Sequence, residues 1–129
     1  MTTASGSGWK AATLEDIPPV KPDWPATWKS VRHHLGITAF GINAAHKDEG
    51  ATLIPEHDEA QSGQEEVYLV LAGRAVAVLD GEHIELEAGD LVAVGPHVKR
   101  SIRAEASPTT LLAIGGTPGK PYEVGDWEK

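Results

Sequence analysis

The chain has 129 residues, of which 40% are hydrophobic and 23% charged, so it fits one globular domain and is too hydrophobic to be wholly disordered. Its 11 Lys and Arg residues against 19 Asp and Glu residues give a net charge of −8, which argues against nucleic acid and anionic membrane as partners. There is no cysteine, which excludes disulfides, thiolate nucleophiles and zinc–thiolate sites.

The first 36 residues differ in character from the centre of the chain. Residues 1–23 hold three prolines and no periodicity, which predicts an extended arm. Asp23 is a candidate N-cap for a short helix that would end at Gly36. The four tryptophans lie towards the two ends, so we expect both terminal arms to pack indoles on the domain or on a partner subunit; they are at positions 9, 24, 28 and 127.

From Ile37 onwards the hydrophobic period changes to two, which is typical of strands. We predict strands at residues 37–46, 65–72, 74–79, 82–87, 91–94, 99–104 and 109–114. Asp80 and Gly81 form a dipeptide preferred in two-residue type I′ hairpins. Phe40 and Tyr68 are the only aromatic residues between residues 37 and 114, so the core is expected to be aliphatic. Short strands separated by turn signals predict an antiparallel sandwich or barrel, and the fold class is therefore all-β.

Two stretches of this region resemble the sequence motifs of the cupin family. The stretch from Gly50 to Gly73, in which six residues separate Glu66 from the final glycine, is similar to the first motif, G-x5-H-x-H-x3–4-E-x6-G. The stretch from Gly89 to Pro96 is similar to the start of the second motif, G-x5-P-x-G-x2-H-x3-N. The resemblance implies a double-stranded β-helix, or jelly-roll barrel, with the site inside it. The chain would then comprise an arm with a short helix at 1–36, the barrel at 37–115 and a second arm at 116–129.

The metal-binding part of the first motif is degenerate, because only Glu66 matches one of the four usual ligands directly. His57 and Glu59 lie two residues apart, so on an extended chain they project to the same side, and both suit Fe, Mn, Ni or Zn. We predict that His57, Glu59 and Glu66 hold a divalent metal ion, with His46 or His97 as a further nitrogen ligand. Without a metal, His57 and Glu59 fit a solvated acidic loop and His46 fits a hydrogen-bonded core residue.

Three further residues are candidate ligand contacts. If Glu66 faces the cavity, alternation places Gln64 and Tyr68 on the same face, and it turns Arg100 inward on its own strand. A carboxylate and a guanidinium inside one barrel would form an ion pair. We predict that the barrel binds a small oxygenated molecule through the divalent metal ion, with Gln64, Tyr68 and Arg100 as candidate contacts for that ligand. The alternative is a metal-free, non-catalytic barrel that binds a small carboxylate or sugar-like ligand through Arg100, with Gln64 and Tyr68 as orienting groups.

The remaining expectations concern activity, assembly and location. No reaction is assigned, and whether the protein is an enzyme is left open, because this fold hosts isomerases, dioxygenases, decarboxylases and non-catalytic binders. Residues 67–71 are apolar on both faces of the predicted strand, so with the tryptophan arms they predict a homodimer, which the resemblance also implies. No apolar run approaches the ~20 residues of a membrane span, and the first residues lack a signal-peptide pattern, so we expect a cytoplasmic protein.

Overall fold

The computed structural model describes residues 3–128 and consists mainly of strands. In chain order the strands are β1 (Ala4–Gly6), β2 (Trp9–Ala11), β3 (Thr27–Ser30), β4 (Gly41–Lys47), β5 (Thr52–His57), β6 (Glu65–Ala72), β7 (Arg74–Leu79), β8 (Glu82–Glu87), β9 (Leu91–Val94), β10 (Arg100–Ala104) and β11 (Thr109–Gly116). The helical segments are α1 (Val31–Leu35) and the 3-10 turns Leu14–Asp16 and Asp126–Glu128. Within the described range, every helix is too short or too polar to cross a membrane.

Two facing sheets form the jelly roll. One has four strands in the order β5-β10-β7-β8, and the other has five in the order β3-β4-β11-β6-β9. All neighbouring strands in both sheets are antiparallel, while β1 and β2 pair with each other in a separate hairpin. This architecture confirms the all-β jelly roll that the strand spacing and the resemblance predict.

The central strands have the predicted positions, and the bounds of β6, β7, β8 and β9 match the alternation pattern residue for residue. Between β7 and β8, Asp80 and Gly81 have φ values of 49° and 86°. A type I′ turn requires positive φ at both central residues, so the dipeptide forms the predicted kind of hairpin.

The N-terminal region differs from the prediction. The helix expected from Asp23 begins only at Val31, where the Ser30 hydroxyl caps it by accepting the backbone N–H of His33. The preceding residues form β3, which pairs with β4 at the edge of the five-stranded sheet and lies within the segment predicted as an arm. The helix ends at Gly36 as predicted, with φ of 75°.

The core between the sheets is aliphatic, as expected from the lack of central aromatic residues. Leu53, Val70 and Ala77 are fully buried, and Tyr68 is 1% exposed among them. A second, smaller cluster joins Ile17 and Val31 of the N-terminal region to the outer face of β4. The N-terminal segment therefore covers the outside of the five-stranded sheet at β4 and leaves the inside of β4 to the cavity.

Candidate functional site

A cavity of about 310 Å³ lies between the two sheets. This volume is at the lower end of the ~300–1,000 Å³ typical of small-molecule sites. One wall carries His57, Glu59 and Glu66, and another is formed by aromatic residues from both terminal regions. The cavity thus offers ionisable ligand atoms on one side and a large apolar surface on the other.

The ionisable wall brings together the three predicted metal ligands. His57 Nε2 lies 3.0 Å from Glu59 Oε2 and 4.0 Å from Glu66 Oε1, and one ligand atom from each residue lies within 4.8 Å of the other two. His57 ends β5, Glu66 is the second residue of β6, and Glu59 sits in the loop between these strands. The backbone N–H of Glu59 donates to the carbonyl of Pro96 at 2.8 Å, which ties this loop to the opposite turn.

The imidazole of His57 has a fixed orientation. Its Nδ1 lies 2.8 Å from the carbonyl oxygen of Pro55, and because a carbonyl can only accept, Nδ1 donates and Nε2 faces the carboxylates. The hydrogen bond to Glu59 raises the pKa of His57 against the effect of burial. The same contact lowers the pKa of Glu59. The protonated form of His57 and the ionised form of Glu59 therefore stabilise each other.

Glu66 is supported from behind. Its Oε1 accepts hydrogen bonds from the hydroxyl of Tyr68 at 2.8 Å and from Arg100 Nη1 at 2.7 Å. Burial raises the pKa of Glu66, while Tyr68 and Arg100 oppose that rise. Burial also raises the pKa of Tyr68, so its hydroxyl keeps its proton and serves as a donor. These contacts fix the carboxylate towards the cavity.

Strand alternation correctly predicts the inward direction of Arg100 and its ion pair with Glu66. However, the Arg100 side chain is 0% exposed, and its Nε and Nη2 donate to the carbonyls of Val98 and Gly95. Arg100 lies behind Glu66 and does not line the cavity, so its predicted role as a direct contact for a ligand is corrected to that of a partner for the carboxylate. Gln64 and Tyr68 do line the cavity, as predicted.

The two additional histidines lie elsewhere. His46 shares a face of β4 with Ile42 and Ala44, as predicted, but this face packs under the N-terminal segment rather than towards the cavity. The inward positions of β4 hold the smaller residues Gly41, Asn43 and Ala45. Small side chains at these positions leave space for the cavity. His97 is an exposed residue of the turn after Pro96. Neither His46 nor His97 joins the group of His57, Glu59 and Glu66, which corrects both expectations.

The aromatic wall was not predicted as part of the site. The ring centroids of Trp24 and Trp28 lie 5.4 Å apart at 83°, and those of Trp28 and Trp127 lie 5.4 Å apart at 73°. Trp28 Nε1 donates to the carbonyl of Leu53 at 3.1 Å, which fixes the central ring. The sequence indicates only that the indoles pack on something, because no spacing rule brings residue 127 to residue 24.

The family follows from sequence comparison. The cupin domain model matches residues 47–115, which include β5 to β10 and most of β11. The protein is a cupin. No curated protein sequence matches this cupin.

Solved structures share the cupin fold across nearly the whole chain. A cupin protein from Bacteroides fragilis is 24% identical with a TM-score of 0.69, and the match covers 95% of each chain. KdgF from a Halomonas species is 18% identical with a TM-score of 0.69, covering 95% of this chain and 98% of that one. A sugar phosphate isomerase of the cupin superfamily from Silicibacter pomeroyi is 20% identical with a TM-score of 0.69, covering 88% and 82%. These similarities describe a common fold, and activity has to be argued from the site.

Proposed function

We propose that this cupin binds a small oxygenated molecule in its cavity through a divalent metal ion held by His57, Glu59 and Glu66. The observation that carries the proposal is the convergence of one imidazole nitrogen and two carboxylates, with a ligand atom from each within 4.8 Å of the others, at the wall of a cavity. The solved structure named above as a sugar phosphate isomerase supports a small-molecule ligand at the level of the fold.

The donor set fits a divalent ion. Imidazole and carboxylate groups are common ligands of Zn, Fe and Mn. Metal-bound histidines usually donate their second ring N–H to a carbonyl or carboxylate, and His57 Nδ1 already does so to Pro55. Tyr68 and Arg100 hold Glu66 in place by donating hydrogen bonds to its Oε1. The supporting contacts that a metal site needs are therefore present around the candidate ligands.

The charges also fit. Glu59 and Glu66 bring two negative charges to one wall, and Arg100 balances one of them from behind. His57 completes the balance only when Nε2 is protonated, so a metal ion would take the place of that proton. When bound, the ion would supply a Lewis acid for an oxygen atom of the ligand. The residues of the chain would hold the ion at the cavity wall and limit the size of the ligand.

The proposal is tested by metal binding to tag-free protein. Protein treated with a chelator is titrated calorimetrically with Mn²⁺, Fe²⁺, Ni²⁺ and Zn²⁺, and elemental analysis follows gel filtration. We expect close to one equivalent of at least one ion, strong loss of binding in His57→Gln, and no change in His83→Gln, which alters an exposed histidine on β8. A content far below one equivalent for all four ions would overturn the proposal.

A further inference from the structure

Two paired glycines form part of the cavity wall. Gly41 of β4 and Gly115 of β11 are direct partners across neighbouring strands. A Cβ on Gly41 would lie 2.6 Å from the hydroxyl oxygen of Tyr122, and a Cβ on Gly115 would lie 3.0 Å from Gln64 Oε1. Because glycine has no side chain, the phenol of Tyr122 fits against Gly41 and the amide of Gln64 fits against Gly115. The polar ends of both side chains therefore lie against neighbouring strands of this wall.

A third polar group shares this wall and lacks a protein partner. Asn43 lies two residues after Gly41 on the same face of β4 and also lines the cavity. Its Oδ1 is buried, and no atom of residues 3–128 donates a hydrogen bond to it. Buried polar atoms are nearly always paired in folded proteins, so this acceptor indicates a place for a donor from outside the chain.

The groups on this wall restrict the chemistry of the ligand. An ionised carboxylate or a phosphate dianion can only accept, so neither can satisfy Asn43 Oδ1. A hydroxyl group can donate to Asn43 and also accept from Tyr122 or from the amide nitrogen of Gln64.

The aromatic wall supplies a complementary apolar surface. Trp24, Trp28 and Trp127 line the same cavity, and the indole N–H of Trp28 is already paired with a backbone carbonyl. Aromatic faces carry partial negative charge and attract the weakly positive hydrogens of C–H groups. The cavity volume of about 310 Å³ leaves room for a single small ring.

We propose that Asn43, Gln64 and Tyr122 form a recognition wall for a neutral ring that carries several hydroxyl groups, with one C–H face of the ring against the indoles. Monosaccharides and inositols have this combination. The inference rests on the proposed function, since it concerns the ligand of the same cavity, but none of the three residues is among the proposed metal ligands. The C-terminal segment is thus part of the recognition site through Tyr122 and Trp127.

The test is calorimetric titration of the full chain, both chelator-treated and metal-loaded, with neutral hexoses, pentoses and inositols. Benzoate serves as a flat ring without hydroxyl groups. We expect saturable binding of at least one polyhydroxylated ring, and weaker binding in Tyr122→Phe and Asn43→Leu by about 3- to 10-fold each, the usual effect of one lost hydrogen bond. His83→Gln should bind like the parent.

The outcomes separate this inference from the metal proposal. If a metal binds but every polyhydroxylated ring fails to bind, the recognition wall is wrong and the metal site stands. If a ring binds and none of the four metal ions binds, the recognition wall stands and the metal proposal is wrong. Binding of benzoate in preference to the polyhydroxylated rings would also overturn the inference. Equal ring binding by the parent and by Tyr122→Phe would overturn it as well. The Tyr122→Phe result does not depend on whether the Asn43 variant folds.

Discussion

At the scale of single residues, Glu66 connects the candidate metal site to the stability of the fold. Its Oε1 accepts from Arg100 at 2.7 Å, and the same atom faces His57 Nε2 at 4.0 Å. The Arg100 side chain is 0% exposed, whereas that of Glu66 is 15% exposed. Glu66 is therefore the charge partner of a guanidinium that water does not reach, so its loss affects both stability and metal binding.

Replacing Glu66 by Gln is expected to weaken metal binding by more than the ~10- to 100-fold typical of losing a supporting residue around a metal. It should also lower the free energy of unfolding by about 3 kcal/mol, the lower end for a broken buried ion pair, because Glu66 keeps some contact with solvent. Combining it with Arg100→Met should restore much of the stability and none of the metal affinity. Urea unfolding and metal titration of the single and double variants measure the two effects separately. A Glu66→Gln protein that matches the parent in both would contradict the assigned position of this carboxylate.

His46 predicts a dependence of stability on pH. Burial lowers the pKa of His46 from its ordinary value of 6.5, and Lys29 and Lys47 add to this effect. The unfolded chain therefore binds this proton at a higher pH than the folded protein, and stability is lost as the pH falls through about 6.5. His46→Gln should reduce the fall in melting temperature between about pH 7.5 and about pH 5.5, whereas His83→Gln should not. Equal falls in the parent and in His46→Gln would show that His46 is not the group responsible.

Alternation in the sequence finds some of the site because the direction of a side chain on a strand depends only on its position. It places Glu66, Tyr68 and Arg100 inside correctly. Alternation does not tell how far a side chain lies from the cavity surface, so it does not show that Arg100 lies behind Glu66. It also fails for His46, because both faces of β4 are covered and the larger apolar residues mark the outer face.

At the scale of elements, the glycine of β4 controls the position of the C-terminal segment. A Cβ on Gly41 would lie 2.6 Å from the hydroxyl oxygen of Tyr122 and 2.8 Å from its Cζ, so the ring would have to move. Gly95 is a matched control, since a Cβ there meets no atom within 4 Å. The two glycines therefore differ mainly in what surrounds them.

Gly41→Ala should lower the free energy of unfolding by about 1–3 kcal/mol, the usual cost of overpacking, and should increase hydrogen exchange across residues 117–128. Gly95→Ala should stay within about 0.5 kcal/mol of the parent. Denaturant unfolding and hydrogen-exchange mass spectrometry measure these effects. Similar exchange in both variants would mean that Tyr122 does not depend on the space above Gly41.

The elements that the sequence predicts best are the ones with local signals. Clean alternation and the positive-φ glycines of the turns define β6 to β9, including Gly73 and Gly81. β5 is not predicted because Pro55 and a polar neighbour interrupt its alternation, although proline is tolerated on an edge strand. β3 is predicted as helix because Trp28, Val31 and Leu35 have helical spacing, while pairing with β4 decides the outcome.

At the scale of the whole molecule, a buried ion pair fastens the C-terminal segment to the N-terminal region. Glu128 accepts from Arg32 Nε at 3.0 Å and from the hydroxyl of Ser30, and its side chain is 1% exposed. Glu128→Gln should lower the free energy of unfolding by about 3 kcal/mol, since Arg32 would remain largely buried without its partner. Glu105→Gln, in an exposed pair, should change it by at most about 1 kcal/mol. Equal effects of the two substitutions in urea unfolding would contradict a fastening role for Glu128.

The homodimer stays a prediction, and the outer face of the five-stranded sheet is the surface to test. Leu91 is 64% exposed and Leu71 is 42% exposed on this face, next to the partly exposed side chains of Val67 and Leu69. Sedimentation should give twice the chain mass of 13.7 kDa, and Leu91→Lys should shift it to a single chain. Ile84→Lys, an exposed position on the other sheet, should leave the mass unchanged. A parent protein that sediments as one chain at micromolar concentration would refute the dimer.

The arrangement of the tryptophans gives the protein a built-in optical reporter. Three of its four indoles meet at the cavity, whereas Trp9 lies on the N-terminal hairpin and is 56% exposed. Trp9→Phe would remove the solvent-exposed emitter and leave fluorescence from the cavity alone. Because the remaining rings pack edge to face and line the cavity, a molecule that binds against them is expected to change both their emission and their near-ultraviolet circular dichroism. Ligand binding in this cavity can therefore be followed by tryptophan fluorescence and circular dichroism, without any attached label.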